Sequence, residues 1–76
     1  MYRYIEMVSE QIHILTGRYG AQVWTRGRKR GAPVECEVTG ETIESGTECY
    51  RPVSNGMNRM HRISKAGMER LQEKTR

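Results

Sequence analysis

Residues 36–64 read CEVTGETIESGTECYRPVSNGMNRMHRIS, and this stretch decides how the chain is expected to fold. Val34 to Val38 alternates between apolar and polar residues, as a half-buried strand does. Thr39-Gly40-Glu41 turns the chain back, Gly40 being the residue that accepts a positive φ. Ile43 is the next apolar anchor, and Ser45-Gly46 is a second turn. Thr47 to Val53 alternates again and reads as a strand, with Pro52 pointing to a sheet edge. Asn55-Gly56 fits a type I′ hairpin turn, with Met57 to Arg62 as the returning strand. Ser64 suits the N-cap of a helix over residues 65–74, which sets Met68 and Leu71 on the side of Ile63. Gly67 weakens that helix by about 1 kcal/mol relative to Ala, so it is expected where another element packs closely.

The order of these features resembles the treble-clef zinc finger. Such fingers often run C-x2-C-G-x2-I-x2-G, then a hairpin, then H-x2-C entering a helix. The chain offers Cys36-x2-Thr39-Gly40-x2-Ile43-x2-Gly46, the Asn55-Gly56 turn, and His61-x2-Ser64 before the helix. The resemblance covers residues 34–74 and implies an α+β, hairpin-rich domain closed by a C-terminal helix. It also implies that Cys36 and His61 stand at ligand positions, with Thr39 and Ser64 where cysteines belong. Structural zinc takes four Cys or His donors, so hydroxyls there argue against the metal. Cys36, Cys49 and His61, with His13 far upstream, are the remaining soft ligands, at spacings unlike a zinc pair. Two other readings stand beside zinc. Cys36 and Cys49 could form a bridge worth about 3 kcal/mol, or they are buried small hydrophobes on facing strands. A reducing compartment favours the last.

Upstream, residues 2–16 are ambiguous. Ile5, Val8, Ile12 and Leu15 fall at helical spacing. Against that, Ile12-His13-Ile14 alternates and the segment is rich in Tyr, Ile and Val, which suit strands. Gly17-Arg18-Tyr19-Gly20 is a turn in either case. The reading preferred is a hairpin, with strands near 11–16 and 21–25; a helix over 3–15 is the alternative. RGRKRGAP, residues 26–33, is expected to be a loop. The whole is read as one domain, with 1–25 the N-terminal hairpin or helix, 26–33 the loop and 34–74 the core.

Seventy-six residues with one Trp, no Phe and five Met leave a lean core. Trp24 is its natural centre, as the largest apolar area on offer. Such a chain leans on a disulfide, a metal, a partner or a homo-oligomer for extra stability. No apolar run is long enough to span a membrane, and MYRYIEMVSE lacks the apolar run of a secretory signal, so a cytoplasmic location is expected. Catalysis finds no foothold: there is no Asp, no phosphate-binding Gly-rich loop and no G-x-S-x-G elbow.

The charge carries the functional reading. Arg26, Arg28, Lys29 and Arg30 lie within five residues, and outside that window nine bases balance nine glutamates. Residues 31–50 carry only glutamates as charged groups; residues 51–65 carry only bases. Arg26-Gly27-Arg28 resembles the core of an AT-hook, with Lys29 where that motif has proline, and Trp24 and Tyr19 are candidates for base stacking. Arg26, Arg28, Lys29, Arg30, Arg59, Arg62 and Lys65 are therefore expected to bind nucleic acid in a small regulator. Glutamates 35–48 could instead neutralise these bases internally. The alternative function is that of small phage or mobile-element proteins that bind and inhibit or redirect a host protein. Met57, Met60 and Met68 would then form an adaptable surface.

Overall fold

A computed structural model describes residues 1–53 and 56–75. It is mostly β, with a C-terminal helix. Five strands form one antiparallel sheet in the order β1-β2-β3-β6-β7: β1 is Arg3–Ser9, β2 Ile12–Gly17, β3 Gly20–Arg28, β6 Glu48–Pro52 and β7 Ile63–Ser64. Two short strands, β4 (Val34–Glu35) and β5 (Thr42–Ile43), pair separately, and α1 runs Lys65–Thr75.

The N-terminal segment is strand throughout, so the helical alternative falls. Two bulges explain why the sequence looked helical. Tyr4 pairs with Leu15 but Glu6 with Ile14, and Met7 pairs with His13 but Ser9 with Ile12, leaving Ile5 and Val8 as extra residues. Each bulge inserts a residue and breaks the two-residue alternation. Ile5 and Val8 are consequently exposed, and of the apparent stripe only Leu15 is buried. The β2–β3 turn matches the expected position. Arg18 and Tyr19 avoid positive φ and Gly20 takes it, at 83°, as a turn with a left-handed glycine requires.

One sheet face makes the core. The register places His13 beside Trp24 and Trp24 beside Pro52, and Tyr50 beside Ile63. Side chains on a strand alternate between faces, so Leu15, Trp24, Tyr50 and Ile63 share this face. They are buried with Met68 and Leu71 of α1. Trp24 is 0% exposed, and the Tyr2 ring packs edge-on to it at 5.0 Å. A polar chain ties the helix to the sheet. Gln72 Nε2 donates to the Tyr4 hydroxyl at 3.2 Å. His13 Nε2–H donates to the Glu10 carbonyl at 3.2 Å, which leaves Nδ1 to accept the Tyr4 O–H at 2.7 Å.

Three boundaries differ from expectation. The basic segment is not all loop: Arg26, Gly27 and Arg28 are strand, paired with Tyr50, Cys49 and Glu48. Backbone pairing against β6 extends β3 despite the like charges, and only 29–33 connect. The first core strand stops at Glu35 and a turn follows at once. Residues 57–60 are turn, so the returning strand shrinks to β7; Asn55 of the expected hairpin turn lies outside the described residues. Pro52 sits inside the sheet order, yet β7 reaches only Cys49 and Tyr50, so its missing N–H faces no strand. Arg59 lies in the turn rather than on a returning strand, and Arg51 pairs with Thr25.

Ser64 caps α1 as expected, its Oγ accepting the Gly67 N–H at 3.0 Å. A Cβ at Gly67 would lie 2.8 Å from Cys36 Sγ and 3.2 Å from the Val38 side chain. Gly67 is the point where the turn after β4 touches the helix.

Candidate functional site

Among the described residues no helix lies on the second sheet face. Alternation gives it three rows: Ile14, Val23 and Val53; then Ile12, Thr25 and Arg51; then Gly27 and Cys49. Val23 is 40% exposed and Val53 51%. The last two rows open into a cleft of about 460 Å³ lined by Thr25, Arg26, Gly27, Arg28, Arg30, Cys49, Arg51 and Arg62. Five arginines from three separate segments meet there. A Cβ added to Gly27 would touch nothing within 4 Å, so the missing side chain leaves open space beside the cleft floor. Cys49 is buried; burial pushes its thiol pKa up, against the pull of Arg62 and Lys29.

The arginines are not equivalent. Arg26 lies across the strand from the Arg51 face. Its Nε is 3.3 Å from Glu48 Oε2, and its guanidinium hydrogen-bonds Tyr50. Burial raises the Tyr50 pKa and the Arg26 bond opposes that rise. Arg28 Nη1 donates to the Gly46 carbonyl at 3.0 Å, and Arg62 Nη1 to the carbonyls of Arg59 and His61 at 2.8 and 2.7 Å. These bonds fix the side chains without cancelling their charge. Among the described residues Arg28, Arg30, Arg51 and Arg62 form no ion pair; the only two are Arg26–Glu48 and His61–Glu37. Internal neutralisation by glutamates 35–48 thus reaches Arg26 alone among the arginines.

Of the other expected contacts, Lys29 Nζ donates to the Arg30 carbonyl and its backbone bonds to Thr47 and Gly46. Lys29, Arg59 and Lys65 are outside the cleft lining. Arg-Gly-Arg is locked in a sheet ladder, unlike the free segment an AT-hook needs. Trp24 is core, and Tyr19 sits at the end of β3 remote from Arg28. Arg51, Thr25 and the opening at Gly27 were not among the expected site residues. The signals for Arg51 were its place in an alternating strand and its membership of the basic group at 51–65.

A second cluster surrounds Cys36. Its Sγ lies 3.4 Å from the N–H groups of both Val38 and Thr39, 3.2 Å from that of Ser64, and 3.3 Å from the Ser64 hydroxyl. Ser64 Oγ also reaches Glu41 Oε1 at 2.5 Å. Burial pushes the Cys36 thiol up, but the bonds from Ser64 and Thr39 outweigh it and the net shift is downward. His61 is turned elsewhere, its Nδ1 2.9 Å from the Tyr2 hydroxyl and 3.7 Å from Glu37 Oε1. His13 is held by Tyr4 and Glu10. Among the described residues no three His, Cys, Asp or Glu side chains converge as metal ligands, and one sulfur beside two hydroxyls does not fit zinc. Cys36 and Cys49 are free and buried, but not on paired strands: Cys36 bridges to Arg62 and Cys49 pairs with Ser64.

No helix among the described residues is long and apolar enough to cross a membrane. Comparison with protein-family models, curated proteins and solved structures finds no match to this chain.

Proposed function

We propose that this protein is a small, non-enzymatic nucleic-acid-binding regulator that holds phosphates in the arginine cleft. One observation carries the reading: Arg28, Arg30, Arg51 and Arg62 gather around one recess and form no ion pair among the described residues. Like charges brought together this way repel unless an anion joins them. Guanidinium groups match phosphate geometry with paired donors. Binding should weaken steeply with salt as counterions are released. Arg51→Ala with Arg62→Ala should cut affinity for a labelled oligonucleotide at least about tenfold and flatten the salt slope by about two. Unchanged affinity and slope would sink the assignment.

The treble-clef reading belongs here too. Its support is the Cys36 sulfur held between the amides of Val38 and Thr39 and the N-cap Ser64. In that reading the chain keeps the finger's turns without its metal, with hydrogen bonds replacing ligation. Thr39→Cys with Ser64→Cys should then complete a donor set with Cys36 and His61, the positions the resemblance implies, take up one zinc per chain and raise the unfolding midpoint. A metal-free double variant would remove this reading. We place the protein in the cytoplasm, where thiols such as Cys36 and Cys49 stay reduced.

A second reading, the phage-type adaptor that seizes a host protein, draws on Met57 and Met60. They are 82% and 68% exposed on the turn between β6 and β7. Met57→Ser with Met60→Ser should abolish nuclease-resistant capture of a single protein if that reading holds.

A further inference from the structure

We infer that the uncovered sheet face takes single-stranded nucleic acid, with phosphates in the arginine cleft and unstacked bases over Val23 and Val53. This rests on the nucleic-acid reading above and names the form of the ligand.

Among the described residues no element projects in a way that suits a duplex groove. A duplex groove is read by an inserted helix or a two-stranded ribbon. The one helix among the described residues, α1, buries Gly67, Met68 and Leu71 against the sheet. Its outward residues include Glu69 and Glu73 as well as Arg70 and Lys74, and the glutamates would repel phosphate. β3 and β6 lie inside the sheet, not in a projecting ribbon.

Charge and apolar surface are continuous on the uncovered face. The row next to Arg51 on the same face is Ile14, Val23 and Val53, two of them well exposed. Val53 N–H donates to the Val23 carbonyl at 2.8 Å, so the two residues adjoin. A duplex hides the apolar faces of its bases by stacking them. A single strand exposes those faces beside its phosphates, and the protein offers the matching pair of surfaces.

Gly27 leaves room beside the arginines. A side chain there would stand over the cleft floor beside Cys49. Gly27 has no positive φ to maintain, and a Cβ meets nothing. Its value lies in the space left for a ligand backbone, since neither conformation nor packing demands glycine. Among the described residues the face holds aliphatic and not aromatic side chains, and no Asn or Gln lines the cleft to read base edges. Contacts of that kind tolerate any sequence.

The test is fluorescence anisotropy with labelled dT12, dA12 and dC12 and a mixed-sequence 12-base duplex at low salt. The single strands should bind within about threefold of one another and at least about tenfold tighter than the duplex. Gly27→Leu and, separately, Val23→Ser with Val53→Ser should each weaken dT12 binding by about fivefold or more, with the unfolding midpoint held. Gly27→Ala, a smaller plug, should weaken it less and serves if the leucine variant does not fold. Tighter duplex binding, or no effect from filling Gly27, overturns this inference and leaves the nucleic-acid reading standing. Failure of every oligonucleotide to bind overturns both. A dimer that Val53→Asp splits, and that oligonucleotide does not compete with, would mean a second copy covers the face and overturns the inference as well.

Discussion

β3 passes through two environments within the thickness of one strand. Toward the helix, Trp24 is sealed under Tyr2 and the core, and Arg26 is matched by Glu48 and Tyr50. Toward the other side, among the described residues, Val23, Thr25 and Gly27 meet no helix, and Arg28, Arg30, Arg51 and Arg62 form no ion pair. Stability is concentrated on one face and unspent charge and apolar surface on the other. The same backbone hydrogen bonds hold both, so substitutions on the two faces should separate folding from binding.

The largest effect expected is at Trp24. Trp24→Ala should cost about 3–5 kcal/mol, a large share of the roughly 4–11 kcal/mol available to a chain this size. Loss of a cooperative thermal transition would register it; a midpoint near wild type would mean the covered face is not the main source of stability.

His13 comes next. Burial lowers its pKa, against the Glu10 bond, with Arg26 adding to the lowering. The unfolded chain therefore binds the proton more readily. Stability present above the unfolded value, about 6.5, is lost as pH falls from there toward the lower folded pKa. His13→Phe should cost about 1–3 kcal/mol at pH 8 by leaving the Tyr4 O–H without its acceptor and should remove that part of the acid slope. Denaturant midpoints from pH 8 to pH 5 measure both; an unchanged slope would reject the assignment.

Ser64→Ala removes the cap of α1 and a donor to Cys36, and should cost about 1 kcal/mol. Thiol titration should also place the Cys36 pKa higher in this variant. The smallest effect belongs to the uncovered face: Val23→Thr should shift stability by no more than about 0.5 kcal/mol. A loss as large as that at His13 would erase the distinction between the faces.

Much of the fold could be read in the chain because its signals were local. The turn at Gly17–Gly20, the cap at Ser64 and the alternation of residues 48–52 each depend on neighbours within a few residues. Trp24 as the core's centre followed from its size. The misreadings have physical causes. Ile5 and Val8 mimicked a helix because two bulges shifted the strand's period. Arg26–Arg28 looked like a loop because like charges and glycine oppose regular structure, whereas backbone pairing with β6 overrode them.

For the site, the sequence by itself determined the inventory: a dense basic segment, a second group of bases at 51–65, and a cysteine turn with hydroxyls where a finger has sulfur. Only the tertiary structure decided which charges are spent. Arg26 and Arg28 are two residues apart and Arg28 is the strand partner of Glu48, yet it is Arg26 that forms the ion pair with Glu48. Arg51 joins Arg28 and Arg62 because β6 lies antiparallel to β3, with Arg51 opposite Thr25 and Cys49 opposite Gly27. Strand register is set by cooperative burial of the opposite face, around Trp24 and Tyr50, and no short-range pattern around the arginines encodes it.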